Sequence, residues 1–171
     1  MRPLDPQKKV QMIRLLAKKV RVCLPIAYVS KILPLMLLEA VPNSPFFVVG
    51  LMNHAGKSIP VLDLAARLGL NRDQPYSLDT PLLLCSSGSQ ELALLADRIL
   101  GLTDVAENSL QMSEQFDPAT SLFLGSIAIG SELFLRLNAE RILDCCLSTQ
   151  EKGRTFDLNS PEAAKYELEN E

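Results

Sequence analysis

The chain carries one histidine, His54, no tryptophan and few aromatic rings of any kind, 5% of its 171 residues. A single imidazole cannot build a histidine-rich metal site, and the scarcity of rings removes the stacking platforms on which single-stranded nucleic acid is held. No HExxH, P-loop, GxSxG or GxGxxG pattern occurs, so zincin, phosphate-loop, nucleophile-elbow and dinucleotide-fold chemistry have no local support. Long apolar runs are missing too. The run from Ile26 to Leu38 is broken by Lys31 and Pro34, and falls short of the roughly 20 apolar residues of a membrane span. The start, MRPLDPQKKV, lacks the apolar stretch and cleavage site of a secretory signal, which argues for an intracellular location. Cys23, Cys85, Cys145 and Cys146 show no metal-ligand spacing and read as reduced, mostly packed thiols. Neither a cofactor nor a metal is expected.

What is present is a chain with 47% hydrophobic and 22% charged residues, enough for one domain or two small lobes with a real core. Charge is uneven. Up to Lys31 there are eight Lys or Arg against the single Asp5, whereas the remainder has nine basic against nineteen acidic residues. A nucleic-acid role would need that basic start combined with a reader motif, and none is found. Arg14, Lys18, Lys19 and Arg21 therefore read as a solvated strand face.

Short strand-like runs recur between turn signals. Val10 to Leu16 and Val20 to Ile26 flank Ala17-Lys18-Lys19 as a hairpin, and Pro25 ends its ladder because it offers no backbone N–H. VPNSP, Val41 to Pro45 with Pro42, is a turn-rich connection. Val48 to Asn53 and Ser58 to Leu62 form a second hairpin, with Gly56 available for a positive φ and Pro60 pointing to an edge strand or a bulge. Asp63 is placed to cap a short helix and Gly69 to end it. Asn71 to Thr80 reads as a connection between lobes. The second half is punctuated in the same way, with apolar runs at Pro81 to Cys85, Leu92 to Ala96 closed by Asp97, Ile99 to Val105, Leu122 to Ile129 and Leu133 to Leu137, and Asn138 capping a helix through Leu143. Many short strands with Gly and Pro punctuation argue for an all-β protein of barrels with short helices. Beyond Ser148 the chain is polar and acidic, and Ser160-Pro161-Glu162 signals a helix over 161–168.

Catalytic constellations are scarce. His54 reads as a half-exposed residue at a strand end. A Cys–His pair of His54 with Cys85 or Cys23 would be the enzyme alternative, without any local feature to support it. Asp63 and Asp97 could pair as carboxylates, but capping and turn formation explain each, since each closes an apolar run.

The order CLPIAYVSKIL, VPNSPFFVVGLMNHAGKSIPVLDLAARLGL, ELALLADRILGL, LFLGSIAIGSELFLRLNAERIL resembles the CheW-like family of bacterial chemotaxis coupling proteins. The more specific matches are Leu24-Pro25, Pro42-Asn43 with Pro45, Gly50 to Asn53, Gly56, Pro60-Val61, Asp63-Leu64 and Leu94 to Ile99. The resemblance implies two packed SH3-like five-stranded β-barrel lobes over residues 10–147. Lobe 1 is expected at about 17–78 and lobe 2 at about 79–147 plus the first strand, followed by an acidic tail over 148–171. It implies a non-catalytic adaptor in the cytoplasm, recruited to membrane receptor arrays. Its partners would be the regulatory domain of a CheA-type histidine kinase and the cytoplasmic tip of a chemoreceptor, with no nucleic acid and no membrane insertion.

The resemblance also places partner contacts at Val29 and Gly50 and in the turn Asn53-His54-Ala55-Gly56. Each position has a second reading in fold maintenance. Two departures bear on function. Ala55 stands where the family typically carries Arg in that turn, and Lys31 replaces a common acidic residue after the Val29 motif. The first removes a guanidinium capable of bidentate bonds and the second reverses a charge. The expectation is a divergent adaptor tuned to a particular receptor or kinase. The alternative is a structural or competing subunit that no longer couples the two.

Overall fold

The computed structural model describes residues 8–143 except 89 and 113. The helix expected over 161–168, the acidic tail, Cys145 and Cys146 lie outside the described residues. Ten strands run in order: β1 (Lys9–Ala17), β2 (Val20–Pro25), β3 (Val29–Pro34), β4 (Val48–His54), β5 (Lys57–Asp63), β6 (Pro81–Ser87), β7 (Gln90–Leu95), β8 (Arg98–Ala106), β9 (Phe123–Ile129) and β10 (Glu132–Leu137). One helix, α1 (Leu64–Arg67), follows β5, and residues 139–143 are helical after β10.

The strands form two five-stranded sheets, ordered β8-β1-β2-β10-β9 and β3-β6-β7-β5-β4. Each is the sheet of one barrel lobe. The β3–β7 lobe is continuous in sequence, whereas the other lobe joins the first hairpin, β1–β2, to β8, β9 and β10. The division therefore falls at other points than the expected 17–78 and 79–147. β2 lies with the C-terminal strands, and β6 and β7 lie with β3–β5.

Side-chain alternation explains how the two lobes meet. Along β6, Leu82 and Leu84 enter the interior of the β3–β7 lobe with Met52, Ile59, Val61, Ala93 and Leu95. Leu83 and Cys85 point the other way, into a core shared between lobes with Ile13, Leu15, Val22, Leu24, Leu92 and Leu94. In the first hairpin Met12 and Cys23 enter the second lobe's interior with Ile127 and Phe134. Successive residues of a strand face opposite sides, so these two hairpins bury apolar side chains on both faces. Runs such as LLLC and LALL are what two-sided burial requires.

The two lobes repeat each other. β4 and β9 show the same burial sequence, and each carries a buried glycine, Gly50 and Gly125, with φ +154°. A Cβ on Gly50 would lie 2.6 Å from the carbonyl oxygen of Glu39, and one on Gly125 2.4 Å from that of Gln111. In both cases a bridge from the preceding loop, Glu39 to Leu51 and Gln111 to Ser126, closes over the outer edge of the strand. Both lobes then end in a capped helix start. Asp63 accepts from the Ala66 N–H at 3.2 Å, and Asn138 accepts from the Arg141 N–H at 3.4 Å. Gly69, at φ +77°, ends α1 with the Gly69 N–H on Ala66 and the Leu70 N–H on Ala65, the two bonds of a Schellman motif.

A polar clamp links the lobes. Arg72 donates from Nε to Asp63 at 2.7 Å, from Nη2 to Asp63 at 3.2 Å and from Nη1 to Asp97 at 2.7 Å. Its guanidinium lies 4.5 Å from the centre of the Tyr76 ring, and the Tyr76 hydroxyl donates to Asp63 at 2.5 Å. Asp97, between β7 and β8, in turn accepts from the Lys18 N–H of the β1–β2 turn at 2.5 Å. Lys18, at φ +53°, is thereby held in the left-handed region that a lysine ordinarily avoids. Its ammonium group donates to the Asn71 carbonyl and pairs with Asp73 at 2.7 Å. Burial works to raise the pKa of Asp63, but bonds from Arg72, Tyr76 and the Ala66 N–H outweigh it and hold the carboxyl below its ordinary value.

Several expectations need correction. Pro60 is neither on an edge nor at a bulge. β5 lies between β7 and β4, Pro60 faces Leu51 of β4, and the register shift in that pair lies between Val48 and Gly50. The proline fits because the β5–β7 ladder begins one residue later, at Val61, so no ladder bond is lost there. β3 lies in a stretch to which the sequence pattern assigned no element. Arg14 is half-buried toward a lobe interior, not on a solvated face. Asp63 and Asp97 cap and turn as expected, yet share one guanidinium.

Arg72→Ala is expected to destabilise the fold by about 3 kcal/mol or more in urea unfolding, because it strands a buried carboxylate. The lowered Asp63 pKa contributes stability that is complete above the unfolded-state value near 4 and is lost as pH falls below it. Stability of the wild type should therefore drop below about pH 4, and Asp63→Asn should flatten that part of the profile. Gly50→Ala and Gly125→Ala should each cost about 1–3 kcal/mol by forcing the bridging loop outward.

Candidate functional site

Strand directions bring most of the sequence-derived contact residues to one end of the β3–β7 lobe. β5 and β7 run parallel, while β4 is antiparallel to β5, and β6 is antiparallel to both β7 and β3. The start of β3, the β4–β5 turn and the β6–β7 turn therefore share an end. There stand Asn53, His54, Ala55 and Gly56, with Val29 at the start of β3, while Lys31 lies further along β3, level with Gly50. Lys57 beside the turn pairs with Glu91 of β7 at 3.2 Å, tying two of these elements together.

The β4–β5 turn is strained in one position. Ala55 has φ +51° and Gly56 φ +80°, the two positive values of a type I′ hairpin, which Asn-Gly ordinarily supplies. Ala at the first position costs about 1 kcal/mol over glycine. Asn53 accepts from the Gly56 N–H at 3.1 Å and braces the turn. Asn53, Ala55 and Gly56 are exposed, and His54 is half-buried as the last residue of β4.

β3 is the edge strand of its sheet. A bulge separates Val29, opposite Cys85, from Lys31, opposite Leu84, and the intervening Ser30 hydroxyl donates to the Leu84 carbonyl at 3.1 Å. Lys31 is exposed, and Ile32 beside it is 51% exposed. Val29 is half-buried against the shared core. Gly50 is buried, on the same rung as Lys31 across Leu84, Ala93 and Val61, and what it supplies is the close approach of Glu39. Of the structural residues, Pro25 closes β2. Pro42 precedes Asn43, which has φ +58°, as in a type II turn.

Cys23 and Cys85 are 0% and 1% exposed, and burial pushes their thiols up to about 11 and about 12, the chemistry of packed side chains rather than nucleophiles. Among the described residues no cluster could hold a metal ion, and no helix is long and apolar enough to cross a membrane. Sequence reasoning missed Ile32, because its strand went unread, and Arg72 and Tyr76, whose polar surroundings give no sign of two carboxylates converging on them.

A relative from Thermotoga maritima, a chemotaxis protein CheW, is 28% identical over 107 residues, covering 63% of this chain and 70% of its own. A probable chemotaxis protein CheW from Rhizobium etli is 25% identical over 105 residues, 60% of this chain and 67% of its own. The crystal structure of the scaffolding protein TtCheW from Thermoanaerobacter tengcongensis shares the fold with a TM-score of 0.69 at 21% identity, over 76% of this chain and 89% of that one. The family model of the CheW-like domain matches residues 11–145, and the chain belongs to that family.

Proposed function

We propose that this protein is a non-catalytic signalling scaffold that couples chemoreceptors to a CheA-type histidine kinase by protein–protein binding. The observation that carries the reading is the exposed end of the β3–β7 lobe. There a turn keeps an alanine in a left-handed conformation where glycine or asparagine would fit without strain, and the edge strand β3, along which Lys31 and Ile32 are both exposed, begins at that end. Backbone strain kept at an exposed tip fits a surface shaped for a contact. A cation and an apolar side chain exposed along the adjoining edge suit a recognition surface. The family and the names of the relatives point the same way. The working location is the cytoplasmic face of receptor arrays.

Ala55 and Lys31 set the specificity in this reading. A turn without a guanidinium and an edge with a cation favour a partner whose facing surface carries negative charge opposite Lys31 and no carboxylate opposite residue 55.

Titration with the regulatory domain of the cognate CheA-type kinase, and separately with a receptor cytoplasmic tip, tests the proposal. Micromolar or tighter binding to at least one is expected, with Lys31→Glu weakening it about tenfold and Ala55→Arg shifting it by a similar factor. Absence of binding to both would sink the coupling role and leave a structural or competing subunit. Ala55→Gly should raise stability by about 0.5–1 kcal/mol in urea unfolding by releasing the left-handed alanine.

A further inference from the structure

The second lobe contains two arginines where its twin has only hydrocarbon. Arg14 of β1 and Arg136 of β10 both pair with Cys23 of β2, one from each side. Residues paired in register face the same side of a sheet, and for this rung that side is the lobe interior, where Cys23 packs with Met12, Ile127 and Phe134. The equivalent rung of the β3–β7 lobe is Leu84, Ala93 and Val61, all buried in its apolar core. The architecture therefore closes around this position without any charge.

Among the described residues the two cations are under-satisfied. The Arg14 guanidinium lies 5.9 Å from the centre of the Phe134 ring, and its Nη2 reaches one acceptor, the Leu100 carbonyl, at 3.3 Å. The Nε atoms of both arginines are buried with no hydrogen-bond partner. Arg136 meets no carboxylate among the described residues. On the same face, Glu132 is engaged by Arg21 at 3.0 Å. Buried cations without a counter-charge are costly. Both residues are only partly buried, and the Arg14 Nη2 lies over Gly101 of β8, 3.0 Å from where a Cβ would stand. Two arginines on one rung, one on either side of Cys23, supply planar donors suited to an oxyanion with two or more oxygens.

We infer that Arg14 and Arg136 form a small-oxyanion site in the β8–β10 lobe, binding phosphate or a carboxylate and completing that lobe's interior.

The test is thermal unfolding of the full chain titrated with inorganic phosphate or with glutarate, at constant ionic strength set by sodium chloride, alongside NMR of the arginine Nε–H signals. A saturable rise in the unfolding midpoint with one anion or both is expected, with shifts confined to the signals of Arg14 and Arg136. The phosphate and glutarate arms identify which source of oxygens the site takes. Arg136→Val installs the twin lobe's residue, so it should fold. It should weaken anion binding about tenfold or more, as loss of a charge-assisted pair requires, and raise the midpoint in anion-free buffer. Arg14→Lys retains charge without the planar fork and should bind between the two. A midpoint that responds to neither anion, or that rises equally in Arg136→Val, would overturn the assignment.

Discussion

Two-sided burial of the hairpins β1–β2 and β6–β7 is the constraint from which the rest of the molecule follows. A strand whose residues alternate between apolar and polar can serve one core. These hairpins present leucine, isoleucine, methionine or cysteine to both sides, so each must lie between its own lobe's interior and the layer shared with the other lobe. β5 and β10 share in it, with Leu62 and Leu137 in the shared layer, so exposed residues are left to the outer strands β3, β4, β8 and β9, and the loops, tips and edges suited to recognition are found there. The Arg72 clamp belongs to the same logic. It joins the end of β5, the β7–β8 connection and the β1–β2 turn at the place where the chain passes from one lobe to the other. Three charged groups and a phenol are partly or wholly dehydrated there, and the arrangement holds because nearly every bond is charge-assisted.

Much of this was legible in the sequence. Nine strands could be read because apolar runs between Gly, Pro and polar punctuation have the right length, and Asp63, Gly69 and Asn138 announce helix boundaries through side chains and φ values that few residues supply. β3 was not legible. Its burial does not alternate, Pro34 ends it, and an exposed edge strand leaves little hydrophobic pattern. The assignment of strands to lobes was only partly visible. Runs such as LLLC signal burial on both faces, but which three strands a hairpin will join depends on pairings that no local window contains. Pro60 misled because a proline in a strand suggests an edge, whereas here it falls one residue before a parallel ladder starts.

The candidate site was legible in a different sense. The turn from Asn53 to Gly56 and the departures at Ala55 and Lys31 stand out in the sequence by comparison with the family. Gly50 and Val29 turned out to have evident work in the fold, whereas Lys31 and the turn are solvent-facing. The charges that matter most to the architecture, Arg72 with Asp63 and Asp97, looked like linker polarity and local capping. Two carboxylates separated by 34 positions in the chain reveal their common partner only when the intervening hairpin has folded back between the lobes.

The insertion of the β3–β7 lobe between β2 and β8 also fixes an order of events during synthesis. β1 emerges from the ribosome first, yet its partner β8 lies some 86 positions later, as the Arg14–Leu100 contact measures. Until β8 to β10 are made, the first hairpin exposes two apolar faces. β3 to β5 wait likewise for β6 and β7. The β3–β7 lobe is complete once β7 is made, whereas the other lobe needs strands from both ends of the described chain, so its folding is dominated by non-local pairing and is expected to be slow. Nascent chains pass through a period in which they are vulnerable to aggregation. The apolar layer shared between the lobes means that, once closed, neither can open without disturbing the other.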